Sequence, residues 1–381
     1  MNTEENALVK GIKNNLLGIL LALAVTILGI YGAELLGDLL IKMNLLPEGG
    51  ASPISGIFVA IIIGIILRNL VGLHEVFRGG IAFSLKYALR FGIILLGLRL
   101  SLAEAFKLGA WGLPLIVVTI SSGLIITLYF TKKLNESTRL GTLIAAGTGI
   151  CGVTAIMAIS PVIKAKDNEI SYAVANITIF GLIGMLFYPY LANTLFAGDP
   201  VKIGLFLGTA IHDTAQVTGA ALIYNDVYQI EEVVNIATVT KLTRNLFIIA
   251  VIPLVSFLYY KNSDQKEAGA IPKWYKLVPL FVLGFLFLSL MRTLGDFTLE
   301  SKGLAFGYLE PSKWLSLHDS LSSFGSTYML GMAMASVGLS TDFKMFKDLG
   351  WKPLYIGLIA ALSVGIISLV LVSLFGSFIN V

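Results

Sequence analysis

The sequence predicts an all-α integral membrane protein with about eleven transmembrane helices. Hydrophobic residues make up 56% of the chain and charged residues only 13%, about half of the roughly 25% that is usual in soluble domains. Apolar runs of about 20 residues, the length that crosses a bilayer as a helix, recur along the whole chain. The connections between these runs are mostly short, so we predict a single polytopic membrane domain over residues 1–381.

Eleven apolar runs are predicted to span the membrane. They lie near residues 15–36, 53–70, 80–100, 112–131, 139–162, 169–194, 201–223, 233–260, 274–292, 321–341 and 351–379. The longest gap, from Arg292 to Ser320, has room for a short interfacial helix.

Internal symmetry is expected because many transporters consist of inverted repeats. With residues 1–45 as an extra N-terminal helix, residues 50–195 and 200–381 form two groups of five helices. An offset of five helices reverses direction, so the two repeats would be inverted and would contain discontinuous crossing helices. A competing similarity links Gly147-Thr-Gly-Ile to Gly208-Thr-Ala-Ile, 61 residues later. Those helices are two apart and parallel, so we interpret this similarity as shared glycine and threonine chemistry.

The distribution of Lys and Arg predicts the orientation. Fifteen of them flank the predicted spans on the side of the N-terminus and seven on the other side. Because positive charge is enriched in cytoplasmic loops, we expect a cytoplasmic N-terminus and a C-terminus outside.

The stretch Gly208–Ala221 has polarity that is unusual for a membrane span. His212 and Asp213 are adjacent, and Gln216 lies one helical turn further on. Ionisable residues at membrane depth are costly and usually functional, and histidine titrates near physiological pH. We therefore assign His212 and Asp213 to ion coupling and His212 and Gln216 to substrate binding. The alternative is that Asp213 pairs with a basic residue only to hold the helices together.

Four cations lie deep within predicted spans as two pairs, Lys86 with Arg90 and Lys241 with Arg244. Residues three or four apart share one helix face. Few deep carboxylates compensate them, so an anionic substrate is expected to do so. The alternative is that some of these cations bind backbone carbonyls or Asp213.

Two glycine-flanked stretches, Gly147–Gly152 and Gly325–Gly331, predict helix interruptions. Discontinuous membrane helices expose N–H groups and half-helix ends that suit an anion. The predicted substrate ligands there are Thr148, Gly149, Cys151, Gly152, Ser326 and Thr327. Close helix packing also uses glycine, so both interpretations remain open.

Several classes of protein find no support in the sequence. A single cysteine, Cys151, excludes an intramolecular disulfide framework. We find no phosphate-binding glycine loop and no metal-ligand spacing among three histidines. We expect no enzymatic activity, no cofactor and no nucleic acid partner.

Several ordered motifs resemble the YeiH-type bacterial inner-membrane family, whose members are classed as sulfate exporters. They are Leu89–Leu100, Gly147-Thr-Gly-Ile-Cys-Gly-Val-Thr-Ala-Ile156, Gly208-Thr-Ala-Ile-His-Asp-Thr-Ala-Gln-Val217 and Lys241-Leu-Thr-Arg244. The resemblance covers nearly the whole chain from about residue 50. It implies an inner-membrane transporter related to the bile-acid/sodium symporter and sodium–proton antiporter folds. In the family a glutamate follows the histidine, whereas this chain has the shorter Asp213.

Three functions follow from these observations. The first hypothesis is a secondary transporter of a small anion, sulfate or a sulfonate-like oxyanion, in the bilayer of the bacterial inner membrane, with a homodimer as the expected assembly. The second is a sodium or proton/cation antiporter with Asp213 as the ion carrier. The third is a channel or membrane scaffold without coupled transport.

Overall fold

Helices account for nearly all of the chain in the computed structural model, which describes residues 2–43, 54–261, 274–344 and 351–379. The predicted all-α class is confirmed for these residues. The chain divides into two compact units. Unit 1 comprises Met1–Ala105, Leu222–Ile230 and Leu283–Phe343, and unit 2 comprises Phe106–Ala221, Glu231–Val282 and Lys344–Val381. These units differ from the predicted repeats, which describe symmetry rather than compactness and remain a prediction.

Unit 1 is a bundle held by close glycine contacts. Its helices are α1 (Asn2–Lys42), α2 (Gly56–Ile66), α3 (Glu75–Phe83), α4 (Leu89–Leu96), most of α14 (Leu280–Lys302), α15 (Pro311–Phe324) and α16 (Gly331–Ser340). A Cβ atom on Gly18 of α1 would lie 2.6 Å from the Cα atom of Gly80 in α3. One on Gly64 of α2 would lie 2.8 Å from the backbone nitrogen of Leu339 in α16. Small residues let the backbones of these helices approach closely.

Three π-helical turns lie in unit 1 among the described residues. Leu67–Val71 follows α2, and the other two each join a pair of helices. Ser84–Ala88 joins α3 to α4, and Gly325–Leu330 joins α15 to α16. The prediction of a broken helix at Gly325–Gly331 is therefore wrong. The backbone keeps helical dihedral angles on both sides, at Phe324 and Gly331, so the glycines permit a wider turn rather than an interruption. Gly325 packs against Leu95, where a Cβ atom would lie 2.7 Å from that of Leu95.

Unit 2 contains the two helices that are interrupted. Its helices are α5 (Leu102–Lys133), α6 (Thr138–Gly149), α7 (Val153–Ile159), α8 (Asp167–Phe196), α9 (Pro200–Ala210), α10 (Thr214–Tyr228), α11 (Glu232–Leu246), α12 (Ile248–Lys261), α13 (Trp274–Leu277) and α17 (Trp351–Phe375). The last turns of α10 belong to unit 1. An apolar core that includes Leu143, Ile156, Ile177 and Ile356 packs α6, α7, α8 and α17 together.

Both interruptions lie within segments that the sequence treats as spans. The predicted break at Gly147–Gly152 is confirmed, because α6 ends at Gly149 and α7 begins at Val153. The predicted span over 201–223 is also interrupted, which the sequence did not indicate, because α9 ends at Ala210 and α10 begins at Thr214. The corresponding positions of the two breaks, Ile150 and Ile211, are 61 residues apart. The similarity between Gly147-Thr-Gly-Ile and Gly208-Thr-Ala-Ile, which we interpret from the sequence as shared glycine and threonine chemistry, therefore coincides with both breaks.

Within the described residues, six helices are each long and apolar enough to cross a membrane, or up to seven if the bent pair α11 and α12 counts as one span. All eleven predicted ranges contain helix, but several segments are too short to qualify alone, so eleven spans remain a prediction. The predicted span 274–292 is shifted, since α14 continues to Lys302. Arg292 therefore lies within α14, where it pairs with Asp296 one turn later at 2.5 Å.

Candidate functional site

The candidate site is formed where the two interrupted helices of unit 2 meet, which we call the crossing. It comprises the breaks 150–152 and 211–213 and the helix ends beside them. Gly152 has φ +66° and ψ −129°, a conformation that favours glycine. A Cβ atom at this position would lie 2.6 Å from Oδ2 of Asp213. The glycine therefore allows one break to turn directly against the other.

Lys241 of α11 binds the free carbonyl groups of both breaks. Its side chain is 1% exposed. The ammonium group donates hydrogen bonds to the carbonyl oxygens of Ile150 and Ile211, each at 3.1 Å, and to that of His212. An ammonium group has three N–H donors, so all three are used on the backbone.

Arg244, one turn further along α11, holds the C-terminal ends of α6 and α9. Its side chain is fully buried. Nε donates to the carbonyl of Gly149 at 3.1 Å, and Nη2 to that of Thr148 at 2.6 Å. Nη1 donates to the carbonyls of Thr209 at 2.6 Å and Ile211 at 3.3 Å. A helix C-terminus carries partial negative charge, so both cations stabilise these two ends.

The approach of α9 to α11 brings the cations to the carbonyls. A Cβ atom on Gly204 would lie 2.6 Å from that of Ile236, and one on Gly208 would lie 2.7 Å from that of Thr240. Glycine at both positions of α9 allows α11 to pack at backbone distance. Lys241 and Arg244 then reach the end of α9 from the adjacent turns of α11.

Asp213 lies at the opposite kind of helix end. Its Oδ1 accepts the backbone N–H of Ala215 in the first turn of α10 at 2.9 Å. The backbone N–H of Val153, the first residue of α7, also donates to this carboxylate. Helix N-termini carry partial positive charge. One carboxylate therefore accepts hydrogen bonds at the N-terminal ends of both α7 and α10. It is only half-buried, unlike the side chains of Lys241 and Arg244.

The other predicted ligands of unit 2 surround Asp213. His212 is 2% exposed, contacts the backbone of Thr148 and has an Nδ1 atom with no hydrogen-bond partner among the described residues. Gln216 accepts the Asp213 N–H at 3.3 Å and donates to the Thr178 carbonyl at 3.4 Å. Cys151 is buried in the other break.

The structure therefore brings together eight of the predicted substrate ligands in unit 2: Thr148, Gly149, Cys151, Gly152, His212, Gln216, Lys241 and Arg244. The remaining four, Lys86, Arg90, Ser326 and Thr327, belong to unit 1. Their participation in the same site remains a prediction. Lys241 and Arg244 use backbone carbonyls as their partners, which is the alternative that the sequence left open for the cations.

Sequence reasoning missed two contributors to the crossing. The carbonyl of Thr209 accepts from Arg244 at 2.6 Å, and the hydroxyl of Thr214 accepts from Asn245 at 3.0 Å. The available signal was the repeated Gly-Thr pair at Gly147 and Gly208. In each case the repeated threonine is the residue whose carbonyl binds Arg244.

Comparisons with known proteins agree on one family. A family model described as Conserved hypothetical protein 698 matches residues 17–357. A UPF0324 membrane protein of Fusobacterium nucleatum is 33% identical over 86% of this chain and 91% of its own length. One from Streptococcus agalactiae is 33% identical over 87% and 92% of the two chains. One from Streptococcus pneumoniae is 34% identical over 91% and 98%.

Proposed function

We propose, from the premise that this chain belongs to the membrane-protein family described as Conserved hypothetical protein 698, that it is a secondary transporter of a small anion. The leading substrate class is sulfate or a sulfonate-like oxyanion, bound at the crossing. Transport is proposed because broken helices place polar backbone groups at a binding site within a membrane. We place the protein in the bacterial inner membrane.

The observation that carries this proposal is the charge balance at the crossing. Lys241 and Arg244 are at most 1% exposed, and Asp213 is the carboxylate in contact with the same helix breaks. Among the described side chains of the crossing, positive charge thus exceeds negative charge by one. Buried charge needs compensation, and one bound anion would supply it.

The backbone contacts favour an anion over a metal cation. The carbonyls of the α6 and α9 ends are the groups that would coordinate sodium in a broken-helix site. Here Lys241 and Arg244 already bind them. A second cation would compete with two fixed ones for the same oxygens, whereas an anion would be attracted by them.

Asp213 gives this site a route to proton coupling. Its carboxylate accepts the N–H groups of Ala215 and Val153, which are the donors that an anion would also use. A protonated Asp213 would no longer repel the substrate, so an anion and a proton would bind together. His212 lies next to Asp213 and is the second residue proposed for coupling.

A half-buried carboxylate also supports a second function, a sodium or proton/cation antiporter with Asp213 as the ion carrier. In that case Lys241 would be the internal counter-ion, since it is near enough to act on Asp213 electrostatically. This function requires no anion site.

Flux in liposomes distinguishes these functions. Purified protein is reconstituted, and uptake of labelled sulfate and methanesulfonate is measured with and without an inward proton gradient. Anion uptake that the gradient accelerates supports the proposal. Sodium flux without anion flux supports the antiporter, and the absence of any flux contradicts both.

A further inference from the structure

A groove of about 380 Å³ in unit 1 is lined by residues of two π-helical turns, Ser84–Ala88 and Gly325–Leu330. Ser84 and Tyr87 come from the first turn and Met329 from the second. Single π-helical turns are rare in proteins, and those that exist are often found at functional sites. Two of them facing one groove indicate a surface shaped for a ligand.

The groove is almost entirely apolar. Its lining includes the aromatic residues Phe83, Tyr87 and Phe91 and the methionines Met329 and Met332. Tyr87 and Phe91 are 40% and 48% exposed, so the groove is accessible from the surface of unit 1. Such a surface suits an alkyl or aryl chain, and methionine adapts to chains of different shape.

Two cations lie at this groove. Arg90 lines it, and Lys86 lies one turn earlier with its ammonium group 5.1 Å from the centroid of the Tyr87 ring. Both cations are exposed, and neither has a carboxylate partner among the residues that the structure describes. The groove also contains Ser84, which is 2% exposed and whose Oγ has no hydrogen-bond partner among the described residues.

The positions of Lys86 and Arg90 along the span restrict which anions can reach them. Lys86 and Arg90 lie 11 and nine residues from the ends of the span Glu75–Arg99, at least about 13 Å at 1.5 Å per residue. A phospholipid phosphate lies in the headgroup region, near the ends of a spanning helix. The compensating anion must therefore reach the middle of the helix.

We propose that this groove binds an amphiphilic organic anion, an alkyl or aryl chain that ends in a sulfonate or carboxylate. The head pairs with Arg90 and Lys86 and can accept the hydroxyl of Ser84, while the chain covers the aromatic and methionine wall. An inorganic anion would leave that wall uncovered, and a neutral lipid would leave the cations uncompensated. This site belongs to unit 1 and does not depend on the function proposed for the crossing.

The test is calorimetric titration of the purified full chain in a neutral detergent with octanesulfonate, octanol and methanesulfonate. Octanesulfonate is expected to bind at least about tenfold more tightly than either of the others, a difference of about 1.4 kcal/mol. Arg90→Gln should weaken octanesulfonate at least about tenfold and Lys86→Gln less. Arg78→Gln is the matched control, because Arg78 is exposed, lies in the same candidate span Glu75–Arg99 and pairs with Glu75 at 2.9 Å.

Two results would overturn the proposal. Equal binding of octanol and octanesulfonate would mean that the cations take no part. Equal affinity of Arg90→Gln and Arg78→Gln for octanesulfonate would place the anion elsewhere. Both variants change exposed side chains, and an unchanged elution volume in size-exclusion chromatography verifies that each is folded.

Discussion

Gly152 and Asp213 are in direct contact across the two helix breaks. The space between the Gly152 backbone and the Asp213 carboxylate is too small for a Cβ atom. This contact places Asp213 at the starts of α7 and α10. Lys241 and Arg244 bind the ends of α6 and α9. Each half-helix end thus faces the charge that its dipole favours.

Gly152→Ala is predicted to lower the melting temperature more than Gly72→Ala. Both glycines have positive φ, +66° and +82°, in a region that other residues rarely adopt, so both substitutions introduce backbone strain of about 1–3 kcal/mol. A Cβ atom meets Asp213 Oδ2 at 2.6 Å in the first case and nothing within 4 Å in the second. Thermal unfolding in detergent measures the difference. Equal shifts would show that the carboxylate moves aside without cost.

Arg244→Lys is predicted to destabilise the fold although it keeps the charge. The planar guanidinium group donates to four different carbonyls, whereas a lysine ammonium group is a point charge with three donors. A charged hydrogen bond contributes about 1.5–3 kcal/mol, so a loss of at least about 2 kcal/mol is expected. Thermal unfolding is the measurement, with the exposed Arg78→Lys as control. An unchanged melting temperature would contradict the role assigned to the guanidinium group.

Asp213→Asn is predicted to separate anion binding from proton-driven uptake. The amide keeps the shape of the side chain but removes the negative charge that competes with the substrate. At alkaline pH its anion affinity should exceed that of the wild type by about tenfold, or about 1.4 kcal/mol. Exchange of labelled anion in liposomes should persist while acceleration by a proton gradient is lost.

His212→Gln serves as the companion variant for this experiment. It should shift the pH optimum without abolishing exchange. If Asp213 is only a structural bridge, Asp213→Asn should instead lower the melting temperature and reduce binding and transport together. Uptake that still responds to the gradient in Asp213→Asn would remove this residue from the coupling role.

The membrane orientation is testable because Cys151 is the single cysteine. In a Cys151→Ala background, Asn135→Cys should be labelled from the cytoplasm and Ser377→Cys from outside, as the distribution of Lys and Arg predicts. Both residues are exposed. An impermeant maleimide applied to intact and permeabilised cells makes the measurement. Labelling of both from one side contradicts the odd number of spans.

Local composition was sufficient to predict an all-α membrane protein and one of the two helix breaks that form the crossing. The apolar runs predict the helices, because hydrophobic length depends on the sequence alone. The glycines at 147–152 predict the first break, and the charges of His212, Asp213, Lys241 and Arg244 predict that the region is functional. These properties belong to single segments and need no knowledge of what packs against them.

Which groups meet was decided only by the tertiary structure. The sequence does not distinguish Gly325–Leu330, which remains a π-helical turn, from Gly147–Gly152, which breaks. A free carbonyl group within a membrane is stable only where another group satisfies it. Lys241 and Arg244 satisfy the carbonyls of both breaks from a third helix, 29 to 96 residues away in the chain. That partnership depends on the packing of α9 against α11, which no single segment determines.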